Sequence, residues 1–208
     1  METKDNTTEK IKQLKRSFRL YMNGVASASM RQKGLEYKVN WGISQVDLRR
    51  MAAECGKDKQ LAEALWHENS RECKLLATLI MPAEQLTLAE ASEWVKAPLS
   101  VEMAEMLVFN LLQHLGEPWP LVGEMLASTD ELHRLCAYNL VCRLVKRLRH
   151  NTPSMPAILW DKAHSDACTS NRHLLHALVN CMQNIADLDN EEAKKADSIL
   201  EGLGFEAF

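Results

Sequence analysis

The sequence predicts an all-α protein, an α-solenoid (α-α superhelix) of about eleven helices, and three observations lead there. Apolar residues recur at spacings of three and four through most of the chain, as Ile11, Leu14, Phe18 and Tyr21 do in the first basic segment. No run of alternating β-branched residues bounded by turn signals interrupts that pattern. Capping residues and helix breakers return at intervals of roughly 15 to 20 residues, as stacked helix pairs require.

Taken in order, Thr7 or Thr8 is expected to cap a first basic helix, which Asn23-Gly24 breaks; Val25 to Gln32 resumes a short helix that Gly34 ends. GLEYKVNWGIS reads as a loop whose large side chains, Tyr37, Val39 and Trp41, must dock on something. Ser44 and Asp47 form a capping pair opening Gln45–Cys55, and Gly56 ends that helix. Asp58 then caps Lys59–His67, Ser70 caps Arg71–Met81 and Thr87 caps Leu88–Lys96, with Pro82 and Pro98 as stops. Ser100 caps the long apolar stretch SVEMAEMLVFNLLQHL, which ends at Leu115. Beyond Gly116, Pro118 and Pro120 come Leu121–Ala127 and then a long helix from Glu131 to about Leu148, capped by Thr129 or Asp130. Ser154 opens Met155–His164, Ser170 caps Asn171–Ala186, and Asp189 or Asn190 caps Glu191–Leu203. Such pairs without strict sequence identity are what a divergent solenoid of HEAT-like repeats looks like, although a compact irregular bundle gives similar periodicity.

The 208 residues, 46% hydrophobic and 25% charged, suffice for one repeat domain spanning 1–208, with a short acidic helix over 190–208 at its end. METKDNTTEK contains no apolar run of the secretory kind, and nowhere do about 18 uncharged apolar residues follow one another, so the expected location is the cytoplasm, with no membrane contact. Six cysteines, Cys55, Cys73, Cys136, Cys142, Cys168 and Cys181, stand singly in apolar helical patterns and are expected to be buried reduced thiols.

A net charge of −3 excludes a protein coated in positive charge, so any nucleic-acid affinity must come from a local patch. Charge is unevenly spread. Residues 1–38 hold nine Lys/Arg against four acids, and residues 131–150 hold Arg134, Arg143, Lys146, Arg147 and Arg149 against Glu131. From Ile185 onward, seven acids face two lysines. Arg143, Lys146 and Arg147 share a helix face, as a phosphate-tracking stripe needs, and a solvated outer face would look the same. Glu102 and Glu105, three apart, likewise share a face of the Ser100–Leu115 helix. Cys168, His173 and His176 have metal-like spacing but lack a fourth partner, so no metal and no cofactor is expected. There is no Gly-rich phosphate loop and no HExxH.

Gly42-Ile43, Leu48-Arg49, the hydrophobic Leu61 to Trp66, the E-x-(K/R)-L-L-A-T/S-L helix over Glu72 to Leu79, and Trp94-Val95 follow one another in order. On these residues the run from Leu48 to Val95 resembles the N-terminal half of the AlkD-like DNA alkylation repair glycosylases. The resemblance extends more loosely over residues 10–190. It implies a HEAT-like solenoid whose concave basic surface holds duplex DNA and whose active members hydrolyse the N-glycosidic bond of N3- or N7-alkylated purines. Such a base is already cationic and leaves readily, so a carboxylate, aromatic faces and a placed water suffice.

Carried over residue by residue, the family's W-D-x-C-D pattern falls on Val101-Glu102-Met103-Ala104-Glu105. Its catalytic carboxylate becomes Glu105, and its cleft tryptophan becomes Val101. The W-V-R-R pattern falls on Leu132 to Leu135, keeping an arginine as Arg134, a candidate phosphate contact with an interhelical salt bridge as the other reading. K-A-I-G-W falls on His176 to Asn180, so the second cleft tryptophan is Asn180. A tryptophan face near a cation contributes roughly 0.5 to 2 kcal/mol. Losing two therefore removes about one to three powers of ten in rate at about 1.4 kcal/mol per power. The resemblance thus implies a monomeric protein that binds duplex DNA, including alkylated DNA, through Arg134, Arg143, Lys146 and Arg147. Any DNA N-glycosylase activity at Glu105 is expected to be weakened or lost. The rival expectation is a non-catalytic HEAT-repeat scaffold that binds protein or nucleic acid.

Overall fold

The computed structural model describes residues 2–97, 100–151, 153–188 and 190–205, and the described chain is helical throughout. Its twelve α-helices are α1 (Glu2–Tyr21), α2 (Gly24–Gln32), α3 (Gln45–Cys55), α4 (Lys59–Trp66), α5 (Arg71–Ile80), α6 (Leu88–Lys96), α7 (Val101–Asn110), α8 (Trp119–Ala127), α9 (Glu131–Leu148), α10 (Ala157–Asp166), α11 (Arg172–Ala186) and α12 (Glu191–Gly202). The sequence-based count was about eleven. Among the described residues the only extended pairing is an isolated bridge between Val39 and Ser70. The chain divides into two compact units, Met1–Thr87 and Leu88–Phe208.

Local sequence explains most boundaries. Ser44, Asp58, Ser100 and Asp130 accept the backbone N–H of Asp47, Leu61, Met103 and Leu132 and so satisfy donors that the first helical turn leaves open. Four caps differ from expectation. Thr7 and Thr8 lie inside α1, where an exposed threonine costs only a few tenths of a kcal/mol and does not force a start. The Ser70 hydroxyl is drawn to Glu72 Oε2 (3.3 Å) instead of capping, and α11 is capped by Asn171 rather than Ser170. Ser154 donates to Glu192 (3.0 Å), and α10 begins only after Pro156. Asn190 caps α12, and Asp189 lies outside the described residues.

In the first unit, α4 and α3 pack on α5, α1 packs on α4, and Phe18, Ile43, Leu48, Leu65, Leu75 and Leu76 are fully buried. A buried anion organises it. Glu72 Oε1 accepts the N–H groups of Trp41 (3.1 Å), Gly42 (3.1 Å) and Ile43 (3.4 Å) and the Arg71 guanidinium (3.2 Å), and Arg71 donates on to the Ile43 carbonyl (3.1 Å). The expected loop therefore docks chiefly through its backbone, and Val39 stays exposed. Gly42 is required here: its φ is +70°, and a Cβ would stand 2.2 Å from the Asn23 carbonyl oxygen.

In the second unit, α6, α8 and α10 form one layer, with α8 touching both its neighbours. A second layer consists of α7, α9 and α11, with α9 packed on the other two and α12 closing against α11. Successive helices alternating between two layers is the HEAT-like arrangement. The Ser100–Leu115 stretch is not one helix: α7 stops at Asn110 and a 3-10 turn runs over Leu112–His114. Leu111 leaves helical geometry (φ −132°), and the Gln113 amide turns back to the Phe109 carbonyl, so the chain tightens ahead of its reversal into α8. Cys73, Cys136, Cys142 and Cys181 are buried free thiols and Cys55 is half-buried, but Cys168 is exposed, because it follows the end of α10 rather than packing within a helix.

Candidate nucleic-acid interface

The α7/α9/α11 layer turns one face to α8 and α10 and the other to solvent, and helix arithmetic sorts its side chains between them. Along α9, Arg134 and Arg143 are nine residues apart, which at 3.6 residues per turn places them about 180° from each other. Arg134 faces the other layer. Its Nε lies 2.9 Å from Asp166 Oδ2 on α10, and its Nη1 donates to the carbonyls of Ser128 (3.1 Å) and Thr129 (3.0 Å). Asp166 also accepts the Tyr138 hydroxyl (2.8 Å), and burial, with the carboxylate beside it, pushes the Tyr138 pKa far above its ordinary value. The structure therefore gives Arg134 the interhelical salt bridge, with its guanidinium engaged inside the fold.

On the solvent side of α9 stand Arg143, Lys146 and Arg147, all exposed. The Arg143 guanidinium lies 4.8 Å from the centre of the Phe109 ring on α7, and Arg147 donates to the Gln113 carbonyl (2.5 Å). Lys146 and Arg149 border a groove of about 580 Å³ whose other wall is Asn184, Asp187 and Leu188. These contacts hold the Arg143 guanidinium beside α7 and the Arg147 guanidinium beside the 3-10 turn that follows it, and leave positive charge at the surface.

The carboxylate pair lies on α7. Glu105 is exposed and Glu102 and Val101 are half-buried, so Glu102, Glu105 and Phe109 form one stripe. Cys136 on α9 approaches the Ala104 carbonyl (3.8 Å), which puts Glu105 level with the first half of α9. Full burial pushes the Cys136 pKa up to about 12, so this thiol stays neutral beside the carboxylate. Asn180 lies on α11, its amide 3.6 Å from the Cys142 sulfur, and Asn184 donates to the Asn180 carbonyl (2.6 Å). Cys136 and Cys142 are six residues, about 9 Å, apart along α9. Glu105 and Asn180 thus flank α9 at different heights, on α7 and α11.

Two residues that sequence reasoning passed over belong to this surface. Phe109 is one turn beyond Glu105 and supplies an aromatic face, found simply as the fourth residue after the carboxylate. Asn139, one turn before Arg143, has a buried Nδ2 without a hydrogen-bond partner among the described residues. The resulting face is acidic along α7 and basic along α9. No group of three or more His, Cys, Asp or Glu side chains among the described residues converges on a metal-sized site. No helix among them is long and apolar enough to cross a membrane.

The fold and this layered arrangement define a HEAT-like repeat protein. The family model for the DNA alkylation repair enzymes matches residues 6–184, and the chain belongs to that family. A solved structure, described as a new family of proteins related to the HEAT-like repeat DNA glycosylases with affinity for branched DNA structures, has the same fold. It superposes with a TM-score of 0.79 and 14% sequence identity, covering 92% of this chain and 82% of that one. No curated protein sequence matches this chain.

Proposed function

We propose that the protein binds duplex DNA as a monomer through the solvent face of α7, α9 and α11, and that base excision is secondary to binding. The observation that carries this reading is the exposed Arg143, Lys146 and Arg147 stripe on the middle helix, in a member of the DNA alkylation repair family. Three cations on one helix face track phosphates without reading base edges. Arg134 supports the surface from behind, by fixing α9 to α10 through Asp166.

Glu105 is the carboxylate that hydrolysis of an alkylated purine would use, and its surroundings favour a weak reaction. Val101 and Asn180 provide no aromatic wall, and the Phe109 ring lies one turn beyond Glu105 on α7. An exposed carboxylate stabilises a developing sugar cation less than one in a water-excluded site.

Duplex binding measured against salt concentration tests the reading. Each phosphate contact adds about 0.9 to the slope of log K against log salt. Arg143→Ala and Lys146→Ala should each lower the slope by about 1 and weaken all sequences alike. Base release from N3- and N7-methylated DNA, compared with Glu105→Gln, tests the catalytic half. Undetectable, salt-insensitive duplex binding would overturn the first half in favour of a protein-binding scaffold, and fast Glu105-dependent release would overturn the second.

A further inference from the structure

A different surface, in the first unit, has a chemistry that the α9 stripe lacks. Five of the eight exposed large hydrophobic residues described gather where α1 passes through a turn into α2 and beside the start of α3. They are Leu20 (82% exposed), Tyr21 (37%), Met22 (56%), Val25 (83%) and Val46 (77%). Scattered single apolar residues are ordinary, but a contiguous group calls for an occupant.

Four of these five fall within the six residues Leu20 to Val25, and the fold brings Val46 near them. The Asn23 N–H donates to the Trp41 carbonyl at 2.8 Å, and Gly42 sits directly against Asn23, so the turn abuts the entry to α3. The Arg50 guanidinium lies 5.1 Å from the Tyr21 ring centre, and Val46 is one turn before Arg50 on the same face of α3. Positive charge surrounds the group. Arg16 and Arg19 are exposed on the last turns of α1, and Arg31 and Lys33 at the end of α2, with no ion pair among the described residues. Arg50 divides its charge between Tyr21 and Asp47 (2.8 Å).

We propose that this surface receives unpaired nucleobases of DNA, such as those at gaps, strand ends and branch points. Bases stack on Tyr21 and lie against Leu20, Met22, Val25 and Val46, while Arg16, Arg19 and Arg50 hold the flanking phosphates. The inference rests on the DNA-binding reading above. Its occupant must be flat and apolar yet carry a negative charge at each repeat, and a single strand with splayed bases meets that description. An arginine over a tyrosine is also a stacking arrangement suited to a π-face. A lipid surface would call for one continuous apolar helix face, whereas here Asn23 and Gly24 interrupt the apolar residues. A second copy of the chain would bring like charge against like.

The test uses the full chain, a fully paired duplex, and the same duplex interrupted by a run of unpaired thymines. The wild type should prefer the interrupted DNA by about tenfold, the scale of one base–aromatic stack. A Tyr21→Ser, Met22→Ser, Val25→Ser variant, whose exposed positions leave the core untouched, should keep its duplex affinity and lose that preference. Arg16→Glu with Arg19→Glu should weaken binding to the interrupted DNA more than to the duplex. Thermal melts of each variant verify folding. Equal wild-type affinity for both DNAs, or a triple variant that keeps the preference, overturns this inference alone. Loss of the duplex with retention of unpaired DNA overturns the α9 reading alone, and binding of neither overturns both. Loss, in the triple variant, of binding to phosphatidylserine vesicles or of a sedimenting dimer, with the DNA preference unchanged, also overturns it and assigns the surface to lipid or to a second copy.

Discussion

Glu72 and Glu105 are both glutamates on apolar helices, and the fold uses them in opposite ways. Glu72 is completely buried, gathers three backbone N–H groups and an arginine, and ties a distant loop to α5. Glu105 is exposed on α7. The first belongs to the motif on which the resemblance rests; the second occupies the position carried over as catalytic. The difference teaches that the residues on which the resemblance rests build the frame, whereas the position carried over as catalytic stands at the surface.

The sharpest way to break the comparison is Glu72→Ala. It removes the buried carboxylate that accepts the Arg71 guanidinium and the Trp41 and Ile43 N–H groups, Gly42 N–H keeping the Asn40 Oδ1 (2.8 Å), and urea denaturation should show a loss of about 3 to 5 kcal/mol. Arg134→Ala strands the buried Asp166 in the second unit and should cost about 3 kcal/mol by the same measurement. A smaller loss would mean that Arg134 is free enough to serve DNA directly.

An alkaline titration separates buried groups from exposed ones less severely. Burial pushes the Cys73 and Cys136 pKa values from 9.0 up to about 11 and about 12. Because the folded pKa is raised, this stability is complete below pH 9 and is lost as pH rises toward the folded values, where only the unfolded chain ionises. Each thiol contributes about 1.4 kcal/mol of loss per pH unit in its window. Cys136→Ala should flatten the fall, measured as urea midpoints at increasing pH. Glu105→Gln gives the smallest effect, within about 0.5 kcal/mol in stability, as exposed surface substitutions do. Its consequence should appear in DNA affinity, which rises slightly as a negative charge leaves the face. A large destabilisation by Glu105→Gln would erase the contrast with Glu72.

Much of the candidate site could be reached from the chain, and the part that could not has a common cause. The sharing of a face by Arg143, Lys146 and Arg147 is local geometry and holds in the structure. Arg134 joined them on family register, although nine residues of helix already turn it away from Arg143. Its partner Asp166 lies 32 residues away, beyond what periodicity reports. Phe109 was legible as the residue one turn after Glu105. The Arg143 guanidinium over its ring was not, because that contact joins α7 to α9.

By itself the sequence determined that the chain is helical, where most helices break, and that Ser44, Asp58 and Ser100 are caps, while it left Thr129 and Asp130 as alternatives. Periodicity, caps and breakers depend on neighbours within a turn or two. Only the tertiary structure decided which charges are frame and which are surface. A carboxylate is buried when donors arrive to satisfy it, and those of Glu72 come from a loop about thirty residues earlier in the chain. Among the described residues no such loop donates to Glu105, so the same side chain stays exposed.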